Sequence, residues 1–186
     1  IWFMPAQSAV FAGAKSTLSK IWRAPASSLV RAIMTDHLSF VDFNATMRKF
    51  GAPDTVIRQY QYWTILLRPA QATLGALVLA AHEPAQVFSQ LSPRSFTELH
   101  TITGHIEFAL TTAFQYDKIN YLMLMMVDPD VHFHVIPRYA QNKQFAGKEF
   151  IDAGWPAVPN LGYINATDTA ANQLIVEHIQ ACWPQP

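Results

Sequence analysis

From residue 34 onward the apolar positions fall into blocks with distinct periods. Phe40, Phe43, Met47 and Phe50 recur at helical spacing behind Ser39, with Asp42 completing a capping-box pattern, and Gly51 and Pro53 stop the run. Residues 55–60 and 62–68 are rich in β-branched and aromatic side chains and predict two strands. Pro69-Ala70-Gln71 breaks the second, and 74–81 is the next strand-sized apolar run. Ser92-Pro93 predicts a helix start, since proline is tolerated at the first helical position. That helix is expected to bury Phe96, Leu99, Ile102, Ile106 and Leu110 and to end near Tyr116. Residues 119–127 predict a strand, Asp128-Pro129 a turn, and 131–137 a further strand. Gly147, Gly154, Pro156, Pro159 and Gly162 then predict loops before a last helix at 168–182. Strands joined by tight turns, with helices in separate blocks, predict an α+β domain built on an antiparallel sheet.

One strand carries a second pattern. In Asp130-Val131-His132-Phe133-His134-Val135 the polar and apolar residues alternate strictly. Successive strand side chains point to opposite faces, so Asp130, His132 and His134 are expected in one row above an apolar face. An i, i+2 histidine pair is by itself an ordinary surface feature, and His-x-His also chelates zinc or copper. No cysteine or third histidine with ligand spacing accompanies it, so a metal is not expected. His37, His82, His100, His105 and His178 occupy ordinary polar positions.

Composition narrows the function classes. The 186 residues suit a domain with a sizeable core, and only 14% are charged. Net charge is zero with histidine neutral, so no broad basic field favours a nucleic-acid polymer. Cys182 is the lone cysteine, which excludes an intrachain disulfide and suits a reducing, cytoplasmic setting. No apolar run is long enough to span a membrane. Residues 1–33 differ from the rest: they carry Lys15, Lys20, Arg23 and Arg31 with no carboxylate before Asp36. This composition fits an organellar transit peptide or an upstream in-frame stretch ahead of Met34. We therefore expect 1–33 to be an extension and 34–186 the domain.

His132-Phe-His-Val-Ile-Pro-Arg138 resembles the signature of the histidine triad (HIT) superfamily of nucleotide hydrolases and transferases, His-φ-His-φ-His-φ-φ, often closed by Pro-Arg. Asp117-Lys118-Ile119-Asn120 ahead of it resembles one HIT subfamily at the same spacing. The resemblance implies a HIT-like antiparallel sheet with helices packed on it, a homodimer, and no cofactor. It also implies a nucleotide phosphohydrolase or nucleotidyl transferase acting on nucleotides or dinucleoside polyphosphates through a nucleotidyl-histidine intermediate. His132 falls on the middle, nucleophilic histidine and His134 on the third. Asp130 stands where the family has its first histidine, and Met126 where the subfamily often has a polar phosphate-binding residue. Those two departures support the alternative of a nucleotide-binding protein with weak or no turnover.

A neutral imidazole can attack phosphorus through one nitrogen when the other carries the proton and is held by an acceptor. His134 is placed to hydrogen-bond a phosphoryl or leaving oxygen. For Asp130 two readings stay open. Its carboxylate fixes the His132 tautomer, or it repels the anionic substrate and favours an unreactive imidazolium. Arg68 and Gln71, at the end of the second strand, occupy a region from which HIT proteins reach the nucleotide. Asn120 is a candidate ligand or a turn residue. Arg138 is a candidate cation for the phosphate or a solvent-facing side chain.

Overall fold

The computed structural model describes residues 42–185. Seven strands and three α-helices follow one another in the order α1 (Ala45–Lys49), β1 (Val56–Gln59), β2 (Trp63–Leu67), β3 (Leu77–Ala81), α2 (Pro93–Phe114), β4 (Lys118–Leu122), β5 (His132–Arg138), β6 (Lys143–Phe145), β7 (Lys148–Phe150) and α3 (Thr169–Ala181). The first five strands form one antiparallel sheet in the order β1-β2-β3-β5-β4. This is the α+β antiparallel architecture that the run lengths predict.

Burial explains why the strands read as they do. Every residue of β2 and β3 is buried, which is why these strands are continuous apolar runs rather than alternating ones. On one face Ile65, Leu77, Leu79 and Val135 meet Ile102, Ile106 and Leu110 of α2 and Ile175 and Ile179 of α3 in the main core. On the other face Leu66, Val78 and Ala80 form a smaller cluster with Met47 of α1. The sheet is thus covered on both sides, and β5 lies inside it between β3 and β4.

The helix ends follow their caps. Ser92 caps α2 by accepting from the Ser95 amide, as Ser92-Pro93 predicts. The helix stops at Phe114, two residues early, because Gln115 takes a left-handed conformation at φ 50°. Its buried stripe starts at Ser95; Phe96 is 38% exposed and packs edge-on against Phe88. Asp168 caps α3 through the Ala171 amide. The first helix begins later than the Ser39 pattern predicts, because Asn44 is its cap and accepts from the Met47 amide at 2.9 Å. Asp42 precedes it and pairs with Arg48 instead. Ser39, Phe40 and the proposed extension 1–33 lie outside the described residues.

Two strand boundaries differ from the sequence expectation. The strand expected over 119–127 ends at Leu122, opposite His134 near the start of β5. Met125 then adopts φ 49°, which no strand accommodates, and residues 123–127 form an apolar loop, exposed except at Met125, which packs half-buried against the main core. The region after Arg138 contains a hairpin, β6–β7, whose turn residues Ala146 and Gly147 both have positive φ. A two-residue turn of that kind suits the twist of a hairpin, but it is here made with alanine in place of the usual asparagine or aspartate.

Candidate active site

The interior strand β5 positions the two histidines. His132 pairs across from Ala80 and His134 from Val78, so both imidazoles project on the face covered by α1. Their ring centroids lie 5.2 Å apart at an interplanar angle of 84°. Phe50, directly after α1, packs against both rings at 5.9 and 5.6 Å. The rings are buried, at 2% and 9% exposure, rather than lining the open cleft that alternation alone suggests.

Hydrogen bonding selects the His132 tautomer. Nδ1 lies 2.7 Å from the backbone carbonyl oxygen of Asp130. A carbonyl only accepts, so Nδ1 carries a proton, and in the neutral ring the lone pair is on Nε2. The group that orients the imidazole is therefore the main chain of residue 130. Asp130 itself precedes β5, and its carboxylate accepts from the Thr46 hydroxyl of α1 at 2.9 Å. One turn along α1, Lys49 pairs with Asp128 at 2.6 Å. Two contacts thus fasten α1 to the approach to β5.

His134 is held neutral. Burial is the main cause that pushes its pKa down to about 4, and the neighbouring His132 and the Arg68 guanidinium add to it, while Asp128 opposes them. Its Nδ1 is buried without a hydrogen-bond partner. So is Nε of Arg68, at the end of β2, whose other nitrogens donate to the Ala70 and Leu161 carbonyls. Burial also lowers the Arg68 pKa. Two nitrogens without partners, one of them on a guanidinium felt by the other's ring, leave hydrogen-bonding capacity that an anionic ligand would satisfy.

The other expected binding residues are committed elsewhere. Gln71 is fully buried; its amide nitrogen donates to the Arg68 and Ala76 carbonyls and its oxygen accepts from the Gly75 and Ala76 amides. It braces a loop in which Gly75, at φ 76°, has no room for a side chain because a Cβ there would meet Phe114 at 2.7 Å. Arg138 does not face solvent: it is 4% exposed and paired through Nε and Nη2 with Asp152 at 2.6 and 3.1 Å. Its Nη1 donates to the Asn120 side-chain oxygen and to the Ala157 carbonyl. Asn120 is thereby tied to this ion pair, although it lies on the same sheet face as His134. Met126 is 87% exposed and brings no donor to the site.

Thr46 and Phe50 are absent from the candidates that the sequence yields. Thr46 meets Asp130 across 84 positions, a contact that no local pattern announces. Phe50 has the helical spacing of a core residue and its proximity to the imidazoles comes from tertiary packing. Among the described residues no cluster of three His, Cys, Asp or Glu side chains is arranged to hold a metal ion.

No protein-family model matches the chain, and no curated protein matches it by sequence. Solved structures match its fold. A histidine triad protein from Sinorhizobium meliloti aligns with a TM-score of 0.60 at 18% identity, over 75% of this chain and 95% of its own. Another from Bradyrhizobium japonicum gives 0.55 at 17% identity, over 76% and 96%. The diadenosine triphosphate hydrolase of Plasmodium falciparum, in complex with cyclomarin A, gives 0.52 at 10% identity, over 69% and 76%. The chain has the fold of the histidine triad proteins.

Proposed function

We propose that the protein acts on the phosphate of a nucleotide or dinucleoside polyphosphate, as a phosphohydrolase or nucleotidyl transferase, with His132 as the nucleophile. The observation that carries this reading is the 2.7 Å contact from His132 Nδ1 to the Asp130 carbonyl, which in the neutral ring places the proton on Nδ1 and the lone pair on Nε2. Nε2 attacks the phosphorus as the P–O bond to the leaving group breaks, and the positive charge on the phosphorylated imidazole is shared with the Asp130 carbonyl through Nδ1–H. Water then attacks the phosphorus, the N–P bond breaks, its electron pair returns to Nε2, and the nucleoside monophosphate departs. His134, neutral above about pH 4 in the free protein, meets the substrate as a hydrogen-bond donor rather than as a charged acid. With Arg68 it supplies the donors for the phosphoryl oxygens.

The fold shared with a diadenosine triphosphate hydrolase supports the substrate class. A second reading, a nucleotide-binding protein with weak turnover, is favoured by Met126, which leaves the loop beside the site without a side-chain donor. Incubating purified protein with a panel of dinucleotides and nucleoside phosphoramidates tests both. Release of AMP or GMP is expected; tight binding without release selects the second reading, and neither binding nor release removes both. We further propose a cytoplasmic homodimer whose domain starts near residue 34, with β4 as the open sheet edge available to a second copy. Among the described residues no helix is long and apolar enough to cross a membrane.

A further inference from the structure

We propose that Thr46 is a positioning residue for His132, acting through Asp130, and that Asp130 serves the site by its main chain while its carboxylate is a tether. The inference rests on the reading of His132 as nucleophile. Thr46 is 1% exposed, and its hydroxyl donates to Asp130 Oδ2 at 2.9 Å. The same residue presents its carbonyl to His132 Nδ1 at 2.7 Å. Asp130 lies outside β5; the Val131 amide of the same peptide unit donates to the Ala85 carbonyl at 2.9 Å and holds that unit on its far side, while the Asp130 side chain holds the residue from the other. The structure supplies one side-chain anchor for it, the Thr46 hydroxyl on α1. A buried threonine hydroxyl given to a carboxylate is a charge-assisted bond, among the stronger of its kind.

The arrangement also accounts for a carboxylate two residues before a nucleophile that meets an anion. With Thr46 engaged, the Asp130 side chain is held by α1, and the imidazole is addressed by the neutral carbonyl. Position 130 therefore needs a side chain that accepts from Thr46, and the charge itself is dispensable. Neither of the two roles that the sequence leaves open for Asp130 then applies: its carboxylate is not the partner of the imidazole, nor a charge that disables it.

The ¹⁵N signals of His132 report its tautomer independently of any turnover. Wild-type protein is expected to give a single neutral tautomer with the proton on Nδ1. Thr46→Val, close in size and lacking the hydroxyl, should give a mixture. It should also slow nucleotidyl-histidine formation about tenfold while nucleotide affinity changes less than twofold. Thr46→Ser should restore both, and Asp130→Asn, which still accepts, should stay within about twofold of wild type. Asp130→Ala, which removes the tether but keeps the carbonyl, should resemble Thr46→Val and serves in its place if the valine variant does not fold. A single unchanged tautomer in Thr46→Val or Asp130→Ala overturns the proposal, as does a large loss in Asp130→Asn. If wild-type protein forms no nucleotidyl adduct, the nucleophile reading fails, and the tautomer comparison still decides the role of Thr46.

Discussion

At the level of single residues, His132 and His134 are neighbours with different duties, and different measurements separate them. His132→Asn should abolish turnover while nucleotide affinity stays within about tenfold, since the pocket remains and the covalent step does not. Failure to trap a labelled adduct in the mutant, with trapping in wild type, is the check. His134 should appear in the pH dependence of stability. Its pKa falls from the usual 6.5 to about 4 on folding, so between those values the unfolded chain binds more protons than the folded one. The contribution of His134 is complete above about pH 6.5 and is lost as pH drops toward 4. Denaturant midpoints over that range should fall by the equivalent of about 2 kcal/mol in wild type, and by less in His134→Gln. The alternation of residues 131–135 makes both histidines legible in the sequence. Their burial is not, because it depends on Phe50, which reads as a helix core residue.

Among the elements, the strand that bears the histidines is also tied down at its far end. The Arg138–Asp152 pair joins the end of β5 to the loop after β7, and Asp152 also accepts from the Tyr139 and Gly154 amides. Arg138→Met leaves a buried carboxylate without its cation and should cost about 3–5 kcal/mol in urea unfolding. Were Arg138 a phosphate ligand, the loss would instead fall on nucleotide affinity with stability preserved. The Pro-Arg ending is visible in the sequence, but the partner comes from residue 152, in a region whose glycines and prolines predict only loop. The β6–β7 hairpin escapes sequence reading for a similar reason: three-residue strands with an Ala-Gly turn carry too little periodicity to register. The apolar run beyond Leu122 misleads in the opposite direction. Strand-like composition continues through Val127, yet β5 offers only two further residues, Phe133 and His132, toward its start beyond His134, and the run ends exposed.

For the whole molecule, the two sheet faces divide the work. The α2–α3 side holds the larger core, and the α1 side holds a small cluster with the histidines beside it. This division is legible in part: the continuous apolar strands announce a sheet covered on both faces, but the sequence does not tell which helix covers which face. Stability should therefore reside in the region from residue 42 onward. Protein starting at Met34 is expected to match the full chain in melting temperature and activity; a large drop in either would make 1–33 part of the domain. Light scattering should give twice the chain mass for the proposed homodimer, and a single-chain mass would remove that expectation.

The interior position of β5 has a consequence for motion. Its amides and carbonyls are bonded to strands on both sides, so exposing them to exchange with deuterium requires the sheet to separate. The five residues of α1 are too few to persist as a helix alone and depend on Met47, the Thr46–Asp130 bond and the Lys49–Asp128 pair. Deuterium uptake should therefore be slow in His132–Arg138 and fast in Ala45–Lys49, although Phe50, directly after that helix, packs on the imidazoles of the strand. The strand and the helix that covers its histidines would then keep different clocks, and added salt should quicken only that of α1, by screening the pairing of the exposed Lys49.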